Sequence, residues 1–222
     1  MSLNKRKIII TGGPTREWLD PVRFISNPST GKMGIAIADE AHNRGGDTVF
    51  IHGPVDSSLL KGRPYRMRTV ETTSDLLEAV MSEMTDRAIL VMAAAPVDYK
   101  PAEKSDVKIK KSGDELQVRF SRTPDILRNV SLKRESGELR DIFVAGFAAE
   151  TTDIENYALG KLRDKNLDMI CLNDVSAKGS GFGTDTNQII IFTRDGERQD
   201  LPIMTKKEAA SMILDAVERG LV

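Results

Sequence analysis

Residues 107 to 111 read VKIKK and place Lys108, Lys110 and Lys111 within four positions, between the acidic PAEKSD and the strand-like LQVRFSR. A lysine ammonium beside a phosphoryl group stabilises charge that builds there during transfer; lysines on an edge strand also block aggregation with no chemical role. Strand alternation puts Lys108 and Lys110 on one face and Lys111 on the other. A second candidate is Asn27–Pro28–Ser29–Thr30–Gly31–Lys32–Met33–Gly34. Hydroxyl residues and a glycine here precede a helical pattern, so free backbone N–H groups and the positive dipole end would face an anion. The alternative is an ordinary helix cap. The P-loop pattern is not met, because Met33 follows Lys32 and no glycine lies five residues before Gly31. A third candidate is Gly12–Gly13, directly after the apolar run KIIIT.

A dinucleotide site would need more than those two glycines. Pro14–Thr15–Arg16 follows them in place of G-x-G-x-x-G, and the second strand ends FIHGP, with no acid to hold ribose hydroxyls. Tyr157 and Lys161 spell YxxxK, as in short-chain dehydrogenases, but Phe143–Val144–Ala145 upstream offers no serine. A nicotinamide-dependent reductase and a non-catalytic nucleotide-binding module stand as the rival readings.

Elements that could position these residues alternate along the chain. Strands are expected at 7–11, 47–53, 66–70, 88–95, 142–150 and 168–173, and helices at 31–43, after a Thr73–Ser74–Asp75 cap, from an Asp153 cap to about Lys165, and from Lys206 to Gly220. QIIIFTRDGERQDLPI reads as a hairpin turning at Asp195–Gly196. The pattern predicts a Rossmann-like, doubly wound α/β fold: a mostly parallel sheet with helices on both faces, an inserted flap or arm around 99–122 and a C-terminal β-hairpin. Ligands bind such sheets beyond the strands' carboxyl ends. That gathers TGGPTRE (11–17), HGP (52–54), AAAPVDY (93–99), GFAAET (146–151) and NDVS (173–176).

Composition bounds the function. The 222 residues suffice for one large domain or two small ones and, at 40% hydrophobic, for a sizeable core; the alternation of elements makes one domain over 1–222 the expectation. A formal net charge of −1 argues against general nucleic-acid binding. One cysteine, Cys171, cannot form an intrachain disulfide; with two histidines it makes a poor zinc set and fits the reducing cytoplasm. No apolar run approaches the roughly 20 residues of a membrane span. The opening MSLNKRKIIIT is too short for a signal peptide, and the chain is expected to be a piece of a longer bifunctional protein.

Taken in order, TGGPTREWLDPVRFISNPSTGKMG, AAAPVDYKP, KIKK, TPDIL, GFAAET, KLRDKNLDMICLNDVS and FGTDTNQ resemble phosphopantothenate–cysteine ligase (phosphopantothenoylcysteine synthetase) of coenzyme A biosynthesis, from about Thr11 to Gln188. Bacterial members more often read SGGTREPID and AAVADYRP at the first two segments. Pro96 here removes a backbone N–H beside the expected nucleotide base. The resemblance implies joining of 4′-phosphopantothenate and L-cysteine with CTP through an acyl-cytidylate, with magnesium on the triphosphate. It also implies a homodimer whose flap reaches the partner's site.

The resemblance further implies roles. Lys108 would stabilise charge on the α-phosphate, Lys110 would add phosphate charge, and Asn27 would hold the acyl carbonyl during amine attack. Gly12, Gly13, Ser29, Thr30, Gly31 and Lys32 would contact phosphate. Asp98 would meet the ribose or the metal. Pro124, Asp125, Ile126 and Leu127 would offer backbone N–H groups, Phe147 would pack on the nucleotide, and Lys161 and Lys165, four apart on one helix face, would meet the triphosphate. Asp20 and Arg23 would organise the substrate or the subunit interface.

Overall fold

The computed structural model describes residues 3–111, 113–150, 154–174, 181 and 183–221. The expected Asp153 cap, Thr151, and the Val175–Ser176 end of NDVS lie outside the described residues. In chain order the elements are β1 (Lys7–Gly12), β2 (Arg16–Trp18), β3 (Phe24–Ser26), α1 (Lys32–Asn43), β4 (Asp47–His52), β5 (Arg66–Thr69), α2 (Thr73–Glu83), β6 (Ile89–Met92), β7 (Tyr99–Pro101), β8 (Phe120–Arg122), α3 (Ile126–Glu135), β9 (Phe143–Glu150), α4 (Ile154–Asp164), β10 (Met169–Asp174), β11 (Thr186–Asn187), β12 (Ile189–Thr193), β13 (Arg198–Asp200), β14 (Met204–Thr205) and α5 (Lys206–Arg219).

The main sheet runs β13-β12-β10-β9-β6-β1-β4-β5, parallel from β10 to β5 and antiparallel at β12 and β13. Its parallel strands grow outward in both directions from β1 and β6, so the order reverses between them. Loops leaving the two strands diverge to opposite faces and open a crevice there.

Strand alternation divides the core. Ile8 and Ile10 of β1 point to the face covered by α1 and α5, where Ile37, Ala41, Ile213 and Val217 are buried. Ile9 points to the other face, onto Leu76 of α2, Val130 of α3 and Leu162 of α4. Strands covered on both sides carry continuous apolar runs such as the fully buried ILVM of β6. Cys171 is a core residue on β10, fully buried, and burial pushes its thiol up.

Several boundaries differ from expectation. The 88–95 strand stops at Met92, because Ala93, Ala94 and Ala95 leave the sheet to form the crevice rim. The cap of α2 is Thr72, not Thr73, in a capping box with Asp75. Only the end of LQVRFSR is strand: β8 pairs with β7 and closes the base of the arm. TGGPTREWLDPVRFIS is not all loop, since β2 and β3 form a short antiparallel hairpin. Trp18 meets Phe24 edge-on with ring centroids 5.0 Å apart, and Arg16 covers the same Phe24 ring at 4.5 Å. Three-residue strands show too little alternation to be recognised from sequence.

Candidate active site

The crevice at the switch point has two lobes, of about 460 and 350 Å³. Ala94, Pro96, Asp98, Phe147 and Lys161 line both and form the boundary. The first lobe is completed by Pro124, Asp125, Ile126, Leu127 and Lys165. The second is completed by the stretch from Asn27 to Gly34, together with Asn173, Asn187 and Lys206. The structure therefore brings together Asn27, Ser29, Thr30, Gly31, Lys32, Asp98, Pro124, Asp125, Ile126, Leu127, Phe147, Lys161 and Lys165.

It does not place Lys108, Gly12 or Gly13 on the lining of either lobe. Lys108 is exposed on the arm, as are Lys110 and Lys111. Gly12 and Gly13 are buried beneath the site, and their small size permits close approach. A Cβ on Gly12 would stand 2.8 Å from the Phe50 ring, and one on Gly13 would stand 2.6 Å from Val55 Cγ1. Gly13 also has φ +77°, which L side chains rarely adopt. His52–Gly53–Pro54 does not reach the lobes either, because β4 lies on the far side of β1 from β6.

The rim 93–98 is pinned by groups from β1, α2 and the loops that follow β1, β3 and β8. Ala94 N–H donates to Thr11 Oγ1 (3.0 Å), Ala95 N–H to the Gly13 carbonyl (2.9 Å) and Val97 N–H to Thr15 Oγ1 (2.9 Å). Thr15 and Thr73 hydroxyls share a 2.9 Å bond, and Thr123 Oγ1 donates to the Val97 carbonyl at 2.6 Å. Thr11 and Thr15 are fully buried, and buried hydroxyls of this kind are hydrogen-bonded. This network fixes the chain on either side of Asp98. Asn27, just after β3, joins it: its Nδ2 donates to the Pro96 carbonyl at 3.0 Å and to the Ala95 carbonyl at 3.3 Å.

The α1 start is shaped for an anion. Gly31, at φ +77°, caps it with no side-chain hydrogen bond to the first-turn N–H groups. Gly34 lets the helix sit on β1, where an added Cβ would be 2.7 Å from the Thr11 carbonyl oxygen. Free N–H groups at a helix start, facing a cleft, form an anion-binding surface.

Positive charge occurs in both lobes. In the first, Lys165 pairs with Asp125, which also caps α3 by accepting from Arg128 N–H at 2.9 Å. Burial would raise the Asp125 carboxyl, but the Lys165 and Arg128 hydrogen bonds and the charges of Lys165 and Lys161 hold it below the usual range. Lys161 Nζ donates to the Phe147 carbonyl at 2.7 Å. In the second lobe Lys32 Nζ pairs with Asp185 at 2.6 Å, and Lys206 Nζ donates to Asn187 Oδ1 at 2.6 Å and to the Thr186 carbonyl at 3.1 Å. Burial, with the neighbouring Lys32 charge, brings the Lys206 ammonium down to about 8.

Lys206, Asn187 and the threonine network were missed as site residues. Lys206 looks like any first-turn helix lysine, and only the antiparallel β11–β14 pairing carries it over Asn187. The YxxxK pair is not a catalytic pair here: Tyr157 is 61% exposed and lines neither lobe.

The fold and site define a doubly wound α/β protein with a two-lobed, lysine-lined crevice at its switch point. More particularly, the chain belongs to the family of the DNA/pantothenate metabolism flavoprotein C-terminal domain, whose model matches residues 3–221. It is 42% identical over 215 residues to the coenzyme A biosynthesis bifunctional protein CoaBC of Bacillus subtilis (strain 168), covering 97% of this chain and 52% of that protein. The CoaBC protein of Escherichia coli (strain K12) is 41% identical over 219 residues, with 97% and 52% covered. The chain thus spans about half the length of the curated relatives it matches. A crystal structure of the C-terminal domain of a CoaBC protein superposes with a TM-score of 0.77 at 36% identity, covering 100% of this chain and 98% of the other. A Cab2 variant in complex with phosphopantothenate-cysteine shares the fold, with a TM-score of 0.76 at 17% identity and 97% and 86% covered. These matches agree with the resemblance drawn from the ordered motifs.

Proposed function

We propose that this chain is the ligase part of a bifunctional coenzyme A biosynthesis protein, joining 4′-phosphopantothenate to L-cysteine with cleavage of CTP to CMP and pyrophosphate. The observation that carries the reading is the shared boundary of the lobes. Asp98, Phe147 and Lys161 border both chambers, and each chamber has its own lysines. A nucleotide in one and a phosphorylated acid in the other would meet at that boundary. Family membership and the full-length match to a CoaBC C-terminal domain support the same assignment.

The chemistry runs in two balanced steps. A pantothenate carboxylate oxygen attacks the nucleotide α-phosphorus, the bond to the β-phosphate oxygen breaks, and pyrophosphate leaves. The cysteine amine then attacks the acyl carbon, the bond to the cytidylate oxygen breaks, CMP leaves, and the amine proton passes to water. A carboxylate resists amines at neutral pH; the mixed anhydride does not. The Lys161–Lys165 face would take the triphosphate, which leaves Lys32, Lys206 and the α1 start for the phosphate of the acid.

Phe147 would pack on the nucleotide, and Lys108 would approach the α-phosphate from the arm. Asn27 would turn an amide N–H from the 95–96 carbonyls toward the acyl oxygen. Magnesium would neutralise triphosphate charge, and Asp98, which borders both lobes, would take part in holding it, since this ion needs only one or two carboxylates besides phosphate and water. The working form would be a cytoplasmic homodimer. No helix among the described residues is long and apolar enough to cross a membrane.

The test is pyrophosphate release with magnesium and 4′-phosphopantothenate, with CTP or ATP, and with or without cysteine. Sustained release with CTP and cysteine, and at most a stoichiometric burst without cysteine, is expected. A preference for ATP would overturn the nucleotide assignment and direct attention to Pro96. No release from folded protein would favour a binding module.

A further inference from the structure

Asp20 is a buried carboxylate that the proposed reaction does not use. It sits in the turn between β2 and β3 and is fully buried. Its Oδ1 accepts from Val22 and Arg23 N–H groups, both at 2.8 Å, and its Oδ2 accepts from Arg23 Nε at 2.9 Å and Nη2 at 2.5 Å. That much is a self-contained turn. A further contact leaves the turn: Ile109 N–H, distant in sequence, donates to Asp20 Oδ2 at 3.1 Å. Arg23 Nη2 also donates to the Ile109 carbonyl at 3.1 Å.

The Asp20–Arg23 pair therefore takes both backbone polar groups of one arm residue, as a neighbouring strand would. That residue stands between Lys108 and Lys110. Nearby, Ser105 N–H donates to the Leu19 carbonyl at 3.0 Å, a second tie between the same turn and the same limb. The β7–β8 ladder secures only the base of the arm.

We propose that Asp20 is a positioning residue: with Arg23 it clasps the backbone of Ile109 and so sets where Lys108 can reach during attack on the α-phosphate. The inference rests on the reading of Lys108 given above. Each charge-assisted bond to Ile109 restricts residues 102–111, which form neither helix nor strand. Without the clasp, Lys108 would sample many arm conformations, and the ordering cost would fall on the step that needs it. Arg23 holds the Asp20 carboxyl well below the usual range, so the clasp persists across ordinary assay pH.

The experiment measures the two half-reactions separately. The first is pyrophosphate release in the absence of cysteine; the second is amide formation from accumulated acyl-cytidylate after cysteine is added. Asp20→Asn keeps the shape and loses the charge. It is expected to slow the first half-reaction at least tenfold and leave the second within twofold. In the Lys108→Ala background it should add no further loss. Ile109→Pro deletes the same N–H on the partly exposed arm and should reproduce the first-step defect if Asp20→Asn fails to fold.

A normal first step in both variants, equal slowing of both half-reactions, or full additivity with Lys108→Ala would overturn the inference. If Lys108→Ala itself releases pyrophosphate normally, the reading of Lys108 falls and the clasp's role falls with it. If Lys108→Ala is inactive while Asp20→Asn is normal, only the clasp falls.

Discussion

In the proposed reaction the crevice rim and the arm would both supply residues, yet they are held very differently. Residues 94–97 donate backbone N–H bonds to Thr11, Gly13 and Thr15 and accept bonds at their carbonyls from Thr73, Thr123 and Asn27, partners that are mostly buried and drawn from separate segments. On the outgoing limb of the arm, contact with the body is concentrated at Ser105 and Ile109. Groups that stabilise developing charge work best when they need not reorganise, which suits the rim. A group that must admit substrate before acting needs a tether that can yield, which suits the arm. The difference separates a preorganised floor from an adjustable approach.

Removing the approaching group gives the largest expected effect. Lys108→Ala should lower pyrophosphate release by about a hundredfold or more, on the order of 3 kcal/mol of barrier, with the thermal unfolding midpoint unchanged. Retained near-normal turnover would mean that the arm has no chemical part.

Asn27→Ala touches the floor and the second step together. Acyl-cytidylate should accumulate on mixing and convert to amide roughly a hundredfold more slowly, as for loss of one donor to a developing oxyanion. Rapid-quench analysis would detect the intermediate; its absence at normal turnover would return Asn27 to a purely structural bond between loops.

Thr15→Val tests whether the floor is over-determined. It strips the acceptor from Val97 N–H and one of two partners from Thr73 Oγ1, which keeps the Val97 carbonyl. Unfolding in urea should show a loss of about 1–3 kcal/mol, the cost of leaving buried polar groups unpaired. A smaller loss would show that the neighbouring threonines compensate.

The smallest effect concerns Lys206. A bound phosphate favours its charged form, so apparent affinity for 4′-phosphopantothenate should weaken several-fold as pH rises through about 8. Lys206→Met should flatten that profile. The stability sign is opposite: the folded value lies below the ordinary 10.5, so between the two the unfolded chain binds more protons and folding strengthens as pH rises. A profile that keeps its shape in Lys206→Met would assign the titration elsewhere.

Local chemistry alone made much of this molecule legible. The runs KIIIT, DTVFIHG and AILVMAAA read as strands, the last as a central parallel one, and helices between strands imply right-handed crossovers. The two together imply a crevice at the strands' carboxyl ends, and the strand order places it between β1 and β6. Lys161 and Lys165 share a helix face by periodicity, and both line the first lobe. Other features depend on residues far apart in sequence. No local pattern marks Thr11 and Thr15 as supports of residues 94 and 97, or Asp20 as a partner of Ile109. Gly12 and Gly13 resemble a ligand-contacting pair, yet contact with Phe50 and Val55 explains them. Periodicity and propensity act within a few residues, so they determine elements and faces. Burial and hydrogen-bond completion are settled only when distant segments pack, and that packing decided which polar side chains line the crevice and which hold it in place.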